Sequence, residues 1–97
     1  MRTVLKDSDS VTVQGWMVNE LGLKGNSLLI YAIIYGYSQN GKGDYHGGYR
    51  YLAEFAGTHI TTAMRLANKL VEDGLLTKEI EEINNTTIPH FKAVRRG

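Results

Sequence analysis

Two short runs of apolar residues at helical spacing meet at a glycine within residues 51–76. The first run predicts a short helix that ends at Gly57, because glycine readily adopts a left-handed backbone conformation. Thr58 follows and offers a hydroxyl cap for a second helix over residues 58–73. In the second helix the apolar residues recur at intervals of three and four, which predicts one buried stripe. The stripe consists of Ala63, Leu66, Ala67 and Leu70.

The chain before this region predicts two further helices. A short helix covers residues 14–21 and ends at Gly22. A longer helix covers residues 28–38, with Asn26 or Ser27 as its N-cap. Nearly every position of its sequence, LLIYAIIYGYS, is apolar or aromatic. We therefore expect this helix to be covered on more than one face and to form the centre of the core.

After residue 74 the pattern changes from helical spacing to that of β-strands. Residues 75–83 and 86–94 predict two strands joined by a tight turn at Asn84 and Asn85, since asparagine tolerates positive φ. Pro89 lacks an amide donor, so it is expected at a bulge or on a non-hydrogen-bonded side of its strand.

The order of these elements defines a fold class. An exposed loop is predicted at residues 40–44 and a very short strand at residues 45–47. Helix, helix, short strand, helix, helix, hairpin is the order of a winged helix-turn-helix domain. We thus predict an α+β fold, mostly α, with three to four helices and a C-terminal β-hairpin wing. The domain is expected to span residues 13–94, after a flexible leader at residues 1–12 and before a tail at residues 95–97.

Composition indicates the size of the domain and its cellular compartment but does not decide its function. The 97 residues suffice for one small core, and the net charge of +1 is no strong nucleic-acid signature. The absence of cysteine excludes disulfides and fits a reducing cytoplasm. The longest apolar run has eight residues and the start of the sequence has no secretion signal, so we expect a cytoplasmic protein with no membrane partner.

No motif in the sequence predicts catalysis or a cofactor. The three histidines, His46, His59 and His90, are far apart in sequence and no pair has the ligand spacing of a helix. Each is therefore interpreted as an isolated exposed histidine, and neither a metal site nor a cofactor is predicted. No nucleophile motif such as G-x-S-x-G occurs, so an enzyme is not expected.

Three sequence blocks between Trp16 and Leu76 carry a family resemblance: WMVNELGLKGNSLLIYAIIYGYSQ, YLAEFAG and ANKLVEDGLL. With these blocks the chain resembles the amino-terminal winged-helix domains of phage and plasmid replication initiators, including DnaD-like replisome organisers. It is also similar to helix-turn-helix proteins of low-GC Gram-positive bacteria. The resemblance implies a DNA-binding fold and a role in replication initiation or transcription regulation. Where such sequences often have Ser and Arg at the turn, this chain has Thr58, His59, Ile60 and Thr61.

The second helix of the motif supplies most candidate DNA contacts. Threonine hydroxyls, asparagine amides and arginine guanidinium groups can contact base edges in the major groove, while lysine and arginine bind phosphates. The alternative is that these residues form only the solvated face of an amphipathic helix. Thr61, Thr62 and Arg65 are the candidates for base contact, and Tyr49, Arg50, Thr58, His59, Asn68 and Lys69 those for backbone contact.

The wing differs in charge from the helix. Residues 71–88 contain one lysine against five acidic residues, whereas residues 89–97 contain Lys92 and two arginines. Any phosphate contact from the wing is thus expected from its second strand, through Lys92. Two hypotheses remain open: a double-stranded DNA-binding module, or a protein-interaction winged helix that binds a replisome partner or a second copy of the chain and has weak or no DNA binding.

The central helix also predicts self-association. Tyr31, Ile34, Tyr35 and Tyr37 spread around it beyond one stripe, which is more apolar surface than a small monomer easily hides. We therefore predict a homodimer formed by this helix and the Trp16 helix. The alternative is that Trp16, Met17 and the leader cover these aromatic residues within one chain.

Overall fold

The computed structural model describes residues 6–39 and 44–94. Four helices are followed by a two-stranded antiparallel hairpin, so the chain has a mostly helical α+β fold, that of a winged helix-turn-helix. The predicted fold class is confirmed. The elements are α1 (Gly15–Asn19), α2 (Gly25–Gln39), α3 (Tyr49–Ala56), α4 (Ile60–Glu72), β1 (Leu76–Ile83) and β2 (Thr86–Ala93).

Helix α2 is the centre of the core. Six consecutive residues, from Ile30 to Tyr35, are buried, and the helix packs against all three other helices and β2. The prediction that it is covered on more than one face is confirmed. The helix begins earlier than predicted, at Gly25, which has a φ of 62°. Asn26 and Ser27 consequently lie inside its first turn, and the prediction of either as the N-cap is wrong.

An aromatic cluster closes one side of α2 within the single chain. The indole of Trp16 packs edge-on against Tyr31 and Tyr35, with ring centroids 6.1 and 5.1 Å apart. The hydroxyl of Tyr31 donates to the carbonyl of Val94 at 3.1 Å, which ties α2 to the end of the hairpin. Val11 of the leader also packs on the core. Most of the apolar surface on which the homodimer prediction rested is thus buried inside one chain, as its alternative expected.

Helix α3 and helix α4 are joined by a turn in which Gly57 is left-handed, with a φ of 72°, as predicted. The amide of Thr58 donates to the carbonyl of Ala53 at 2.9 Å and so satisfies the end of α3. Thr58 is not the N-cap of the next helix, contrary to prediction. That position belongs to His59, which has the extended backbone of an N-cap, with φ −78° and ψ 154°, and whose side chain makes no capping hydrogen bond.

The hairpin forms the wing. Its strands pair in continuous register from Leu76 opposite Ala93 to Ile83 opposite Thr86. Both turn asparagines have positive φ, 49° and 67°, as expected. Hydrogen-bonded and non-hydrogen-bonded pairs alternate in an antiparallel ladder. Counting from the closing pair at the turn, Pro89 lies in a non-hydrogen-bonded pair, and the continuous register excludes a bulge.

A short third segment lies beside β2. Tyr45 forms an isolated antiparallel bridge with Phe91, with N···O distances of 2.7 and 2.8 Å. The predicted strand at residues 45–47 is therefore reduced to one residue. The Tyr45 hydroxyl donates to the carbonyl of Gly48 at 2.7 Å, which turns its ring over Gly47. A Cβ atom at Gly47 would lie 2.8 Å from that hydroxyl oxygen, so the turn requires glycine.

Some predictions fall outside the described residues. These are the predictions for residues 1–5 of the leader, for residues 40–43 of the loop and for the tail at residues 95–97. Within the described part of the chain, no helix has both the length and the apolar character needed to cross a membrane.

Candidate nucleic-acid interface

Helix α4 is held by one face and presents the other to solvent. Ala63, Ala67 and Leu70 are at most 2% exposed. Side chains four positions apart are neighbours on a helix surface. Thr61, Arg65 and Lys69, all exposed, therefore form one polar row on the side away from the buried stripe. The buried stripe fixes the rotation of the helix, so this row is the surface that α4 offers to a partner.

Arg65 is the central residue of the row. Among residues 6–39 and 44–94, it makes no ion pair and no side-chain hydrogen bond. Its guanidinium group carries five donors in a planar fork that suits a guanine edge or a phosphate. Arg65 thus offers an exposed positive charge that no carboxylate within the described residues neutralises.

Lys69, one turn further along, is paired but accessible. Its Nζ lies 3.1 Å from Oδ1 of Asp73, and the two side chains are 64% and 46% exposed. An exposed ion pair of this kind contributes only about 0 to 1 kcal/mol. A phosphate can therefore replace Asp73 as the partner of Lys69 at little cost.

The structure adds Lys78 of β1, a residue that the sequence analysis did not select. Its Nζ donates to Oδ1 of Asn68 at 3.0 Å and lies 5.7 Å from the centre of the Phe91 ring. Lys78 was counted only as one charge in an acidic segment. Strand alternation is the signal that could have found it, because side chains two residues apart share one face. Lys78 shares its face with buried Leu76 and so points toward α4, not outward.

The first turn of α3 contributes one packing residue and one exposed residue. The ring of Tyr49 packs edge-on against Phe91, with centroids 5.9 Å apart. Tyr49 is half-buried, so its ring is part of the wing contact. Arg50 is exposed, and its Nε lies 3.1 Å from Oε2 of Glu54. Of these two predicted backbone contacts, Arg50 is exposed and Tyr49 is partly covered by the wing.

A shallow groove runs between α3 and the beginning of α4. Arg50, Thr58, His59 and Thr61 lie along it. The structure thus brings together four of the residues predicted to contact DNA. Thr62 lies at the edge of the exposed row and is half-buried.

Lys92 is separated from the other candidates. It pairs with Thr77, whereas its neighbour Phe91 pairs with Lys78. Directly paired residues share a face of the sheet, so Lys92 lies on the face opposite Lys78. This outer face also carries Glu79 and Glu81 of β1. Lys92 is therefore not part of the surface formed by α4 and the inner face of the wing.

A polar cluster occupies the outer face of the sheet. His90 Nδ1 lies 3.2 Å from both carboxylate oxygens of Asp44, and its Nε2 lies 2.8 Å from Oε1 of Glu81. His46 Nδ1 lies 3.2 Å from Asp44 Oδ1, and the two imidazole centroids are 5.1 Å apart. We call these four residues the outer-face cluster. The interpretation of His46 and His90 as isolated histidines is wrong, because the bridge at Tyr45 brings distant segments together.

Hydrogen bonds within this cluster shift the ionisation of its members. The hydrogen bond to His90 is the largest cause of the lowered pKa of the Asp44 carboxyl; burial opposes this shift, and the hydrogen bond to His46 adds a further lowering. The bonds from Asp44 and Glu81 raise the pKa of His90 above its usual value. Both shifts favour a cationic His90 between two carboxylates.

Comparison with protein-family models identifies the kind of domain. A protein-family model described as a helix-turn-helix domain matches residues 21–76, which run from the segment after α1 to the start of β1. The comparisons with curated proteins and with solved structures found no match. The matched segment contains α2, α3, the turn and all of α4, the elements that build the exposed polar row.

Proposed function

Because the chain belongs to the helix-turn-helix domain family, we propose that it binds double-stranded DNA with α4 in the major groove. The observation that supports this most directly is the polar row of Thr61, Arg65 and Lys69, at the centre of which Arg65 has no ion-pair partner among the described residues. A major groove about 12 Å wide admits a helix, and a fixed helix can direct such a row at base edges.

Contacts to phosphates would lie near both ends of this row. At one end Arg50 lies beside the amino-terminal turn of α4, where peptide dipoles favour an anion. Toward the other end the wing holds Lys78 against Asn68. One positive charge near each end of the row suits contact with the phosphate backbones that border the major groove.

A role in replication initiation or in transcription regulation belongs to the same proposal. The resemblance to replication initiators favours the first role. Selection of bound sequences from a random duplex pool gives the preferred site, and the location of that site in an origin or a promoter separates the two roles.

The direct test of DNA binding is substitution of Arg65. Arg65→Ala should leave the urea midpoint unchanged, because the side chain is exposed, while weakening binding to a selected duplex by about 1 to 3 kcal/mol. Arg65→Lys keeps the charge but loses the bidentate fork. It should restore affinity if Arg65 contacts a phosphate and fail to restore base preference if it contacts a guanine. Fluorescence anisotropy at several salt concentrations measures both effects.

Lys69→Ala and Lys92→Ala form a matched pair for this test, since each removes one exposed lysine charge. Lys69→Ala should weaken binding to all duplexes alike and reduce the salt slope by about one. Lys92→Ala, on the outer face, should bind as the parent does. Parent-like binding by both Arg65→Ala and Lys69→Ala would exclude α4 as the DNA-contacting helix.

A protein-interaction module is the second candidate, and the far half of the wing favours it. Ile80 and Ile83, on opposite faces of the wing, are 58% and 45% exposed, and three glutamates lie next to them on β1. Exposed apolar side chains among acidic residues suit a partner with a basic and apolar surface, such as a replisome protein. A protein with this function would show little duplex binding at any salt concentration, whereas a phosphate-binding module loses affinity steeply as salt rises.

A further inference from the structure

Backbone pairing positions three members of the outer-face cluster, which come from two segments distant in sequence. Tyr45 pairs with Phe91 and points to the core with it. Side chains alternate along an extended segment, so Asp44 and His46 both point outward, where His90 of β2 also lies. The backbone hydrogen bonds of the Tyr45 bridge therefore hold three ligand-type side chains on one face.

The separations in the cluster suit a metal ion. The carboxylate of Asp44 lies 3.2 Å from Nδ1 of both His46 and His90. All three ligand atoms lie within 4.8 Å of one another. Zinc–nitrogen and zinc–oxygen bonds of about 2.0 to 2.2 Å in tetrahedral geometry place neighbouring ligand atoms about 3.3 to 3.5 Å apart. The two carboxylate–imidazole distances need almost no adjustment to reach that range.

Glu81 supplies an independent feature of a metal centre. Its carboxylate oxygen lies 2.8 Å from Nε2 of His90, on the side of the ring away from Asp44. Metal-binding histidines commonly donate their second ring N–H to a carboxylate, which fixes the tautomer and the ring orientation. With Nε2–H donating to Glu81, Nδ1 is the atom left for a metal. A cation bound there would replace the proton that Nδ1 shares with Asp44.

From this geometry we infer that the protein binds a divalent transition metal of the zinc class through Asp44, His46 and His90, with Glu81 as the positioning residue. Two imidazoles and one carboxylate form a donor set suited to zinc and leave a fourth position for water. Through its ligands the ion connects the segment before α3 to β2, while Glu81 of β1 acts on it only through His90. Its binding does not depend on the proposed DNA function.

Titration of the untagged full chain with ZnCl2 by isothermal calorimetry tests the site, together with the visible spectrum of the Co2+ form. The parent should bind one ion per chain and show the absorption of a four-coordinate cobalt centre. His46→Ala should abolish this binding, and it should fold normally because the His46 side chain is 62% exposed. His90→Gln keeps a polar side chain on β2 and should also abolish it, with an unchanged far-ultraviolet circular dichroism spectrum.

Two matched controls separate this site from adventitious binding. His59→Ala removes the remaining histidine, which lies in the turn before α4, and should bind Zn2+ as the parent does. Glu81→Ala should weaken Zn2+ binding about tenfold, in line with loss of an outer-shell carboxylate, whereas Glu82→Ala, on the other face of β1, should not. The inference is overturned if the parent shows no saturable Zn2+ binding, or if His46→Ala binds Zn2+ as tightly as the parent. None of these measurements contains DNA, so their failure is distinct from failure of the proposed function.

Discussion

Helix α4 and the wing are attached to the same core in different ways. Along α4, buried residues recur on one face from Ala63 to Leu70, so the whole helix is anchored. Along the wing, burial is confined to the base, where Leu76 and Phe91 are at most 2% exposed. The residues beyond Lys78 on β1 are all exposed. The helix is therefore fixed along its length, while the wing projects from a fixed base.

The two regions differ in charge as well as in anchoring. The exposed row of α4 contains Arg65 and Lys69, whereas the part of β1 beyond Lys78 contains three glutamates. Lys78 at the base of the wing belongs with α4 by its contacts. Lys78 therefore marks a boundary of charge on the proposed DNA-binding surface. On the α4 side of Lys78 the surface is positive and attracts phosphate, whereas β1 beyond Lys78 is acidic and repels it.

Among the substitutions that test this comparison, the largest loss of stability is expected where the wing joins the core. Phe91 is 1% exposed, contacts Tyr49 and pairs with Tyr45. Phe91→Ala should lower the free energy of unfolding by about 3 to 5 kcal/mol, because it removes a large buried side chain and leaves a cavity. Urea denaturation measures this change. Ile80→Ala, near the exposed end of the same hairpin, should cost less than about 0.5 kcal/mol, and an equal cost for both would contradict the distinction between base and tip.

The next effect concerns the anchoring of α4. Leu70 is 2% exposed, whereas Leu66 of the predicted stripe is only half-buried. Leu70→Ala should therefore cost about 2 to 4 kcal/mol and Leu66→Ala clearly less. Met64→Ala, at a position 39% exposed, is the control and should be nearly neutral. If the urea midpoint of Leu70→Ala equals that of the parent, the rotation assigned to α4 is wrong.

The elements of the fold could be predicted from sequence because their signals are local. Helical spacing located α4, and Gly57 and the Asn84–Asn85 pair marked turns that need positive φ. The cap of α4 was misplaced by one residue. Whether Thr58 or His59 is the N-cap depends on how α3 ends, and this is settled by the hydrogen bond from the Thr58 amide to Ala53.

The candidate sites were predictable only where they lie on one element. The row on α4 follows from helical spacing alone. The contact between Asn68 and Lys78 joins α4 to β1, and the outer-face cluster depends on the register of Tyr45 with Phe91. Such pairings are set by tertiary packing, for which spacing along the chain gives no signal.

A smaller effect should separate the two faces of the wing. Lys78→Gln removes the positive charge next to Asn68 but keeps a hydrogen-bonding side chain. Duplex binding should weaken by about 1 kcal/mol, and the salt slope should fall by about one, if Lys78 contacts a phosphate. Fluorescence anisotropy across a salt series measures both quantities. Lys92→Gln makes the same change in charge on the outer face and should leave both quantities at their parent values. Equal losses of duplex affinity in the two variants would show that the two faces of the wing do not differ in DNA contact.

The smallest effect should come from the glutamates of β1, which strand alternation divides between the two faces. Glu82 shares its face with Lys78, four residues away, whereas Glu79 points outward beside His90 in the register. Four residues of a strand span about 13 Å, which exceeds the Debye length of about 8 Å at physiological salt. Glu82→Gln should therefore strengthen non-specific duplex binding by only a few tenths of a kcal/mol, and mainly at low salt, where screening is weak. Glu79→Gln removes the same charge and should have no measurable effect. Equal strengthening by the two variants would mean that repulsion by the wing depends on its net charge, and not on which face approaches the duplex.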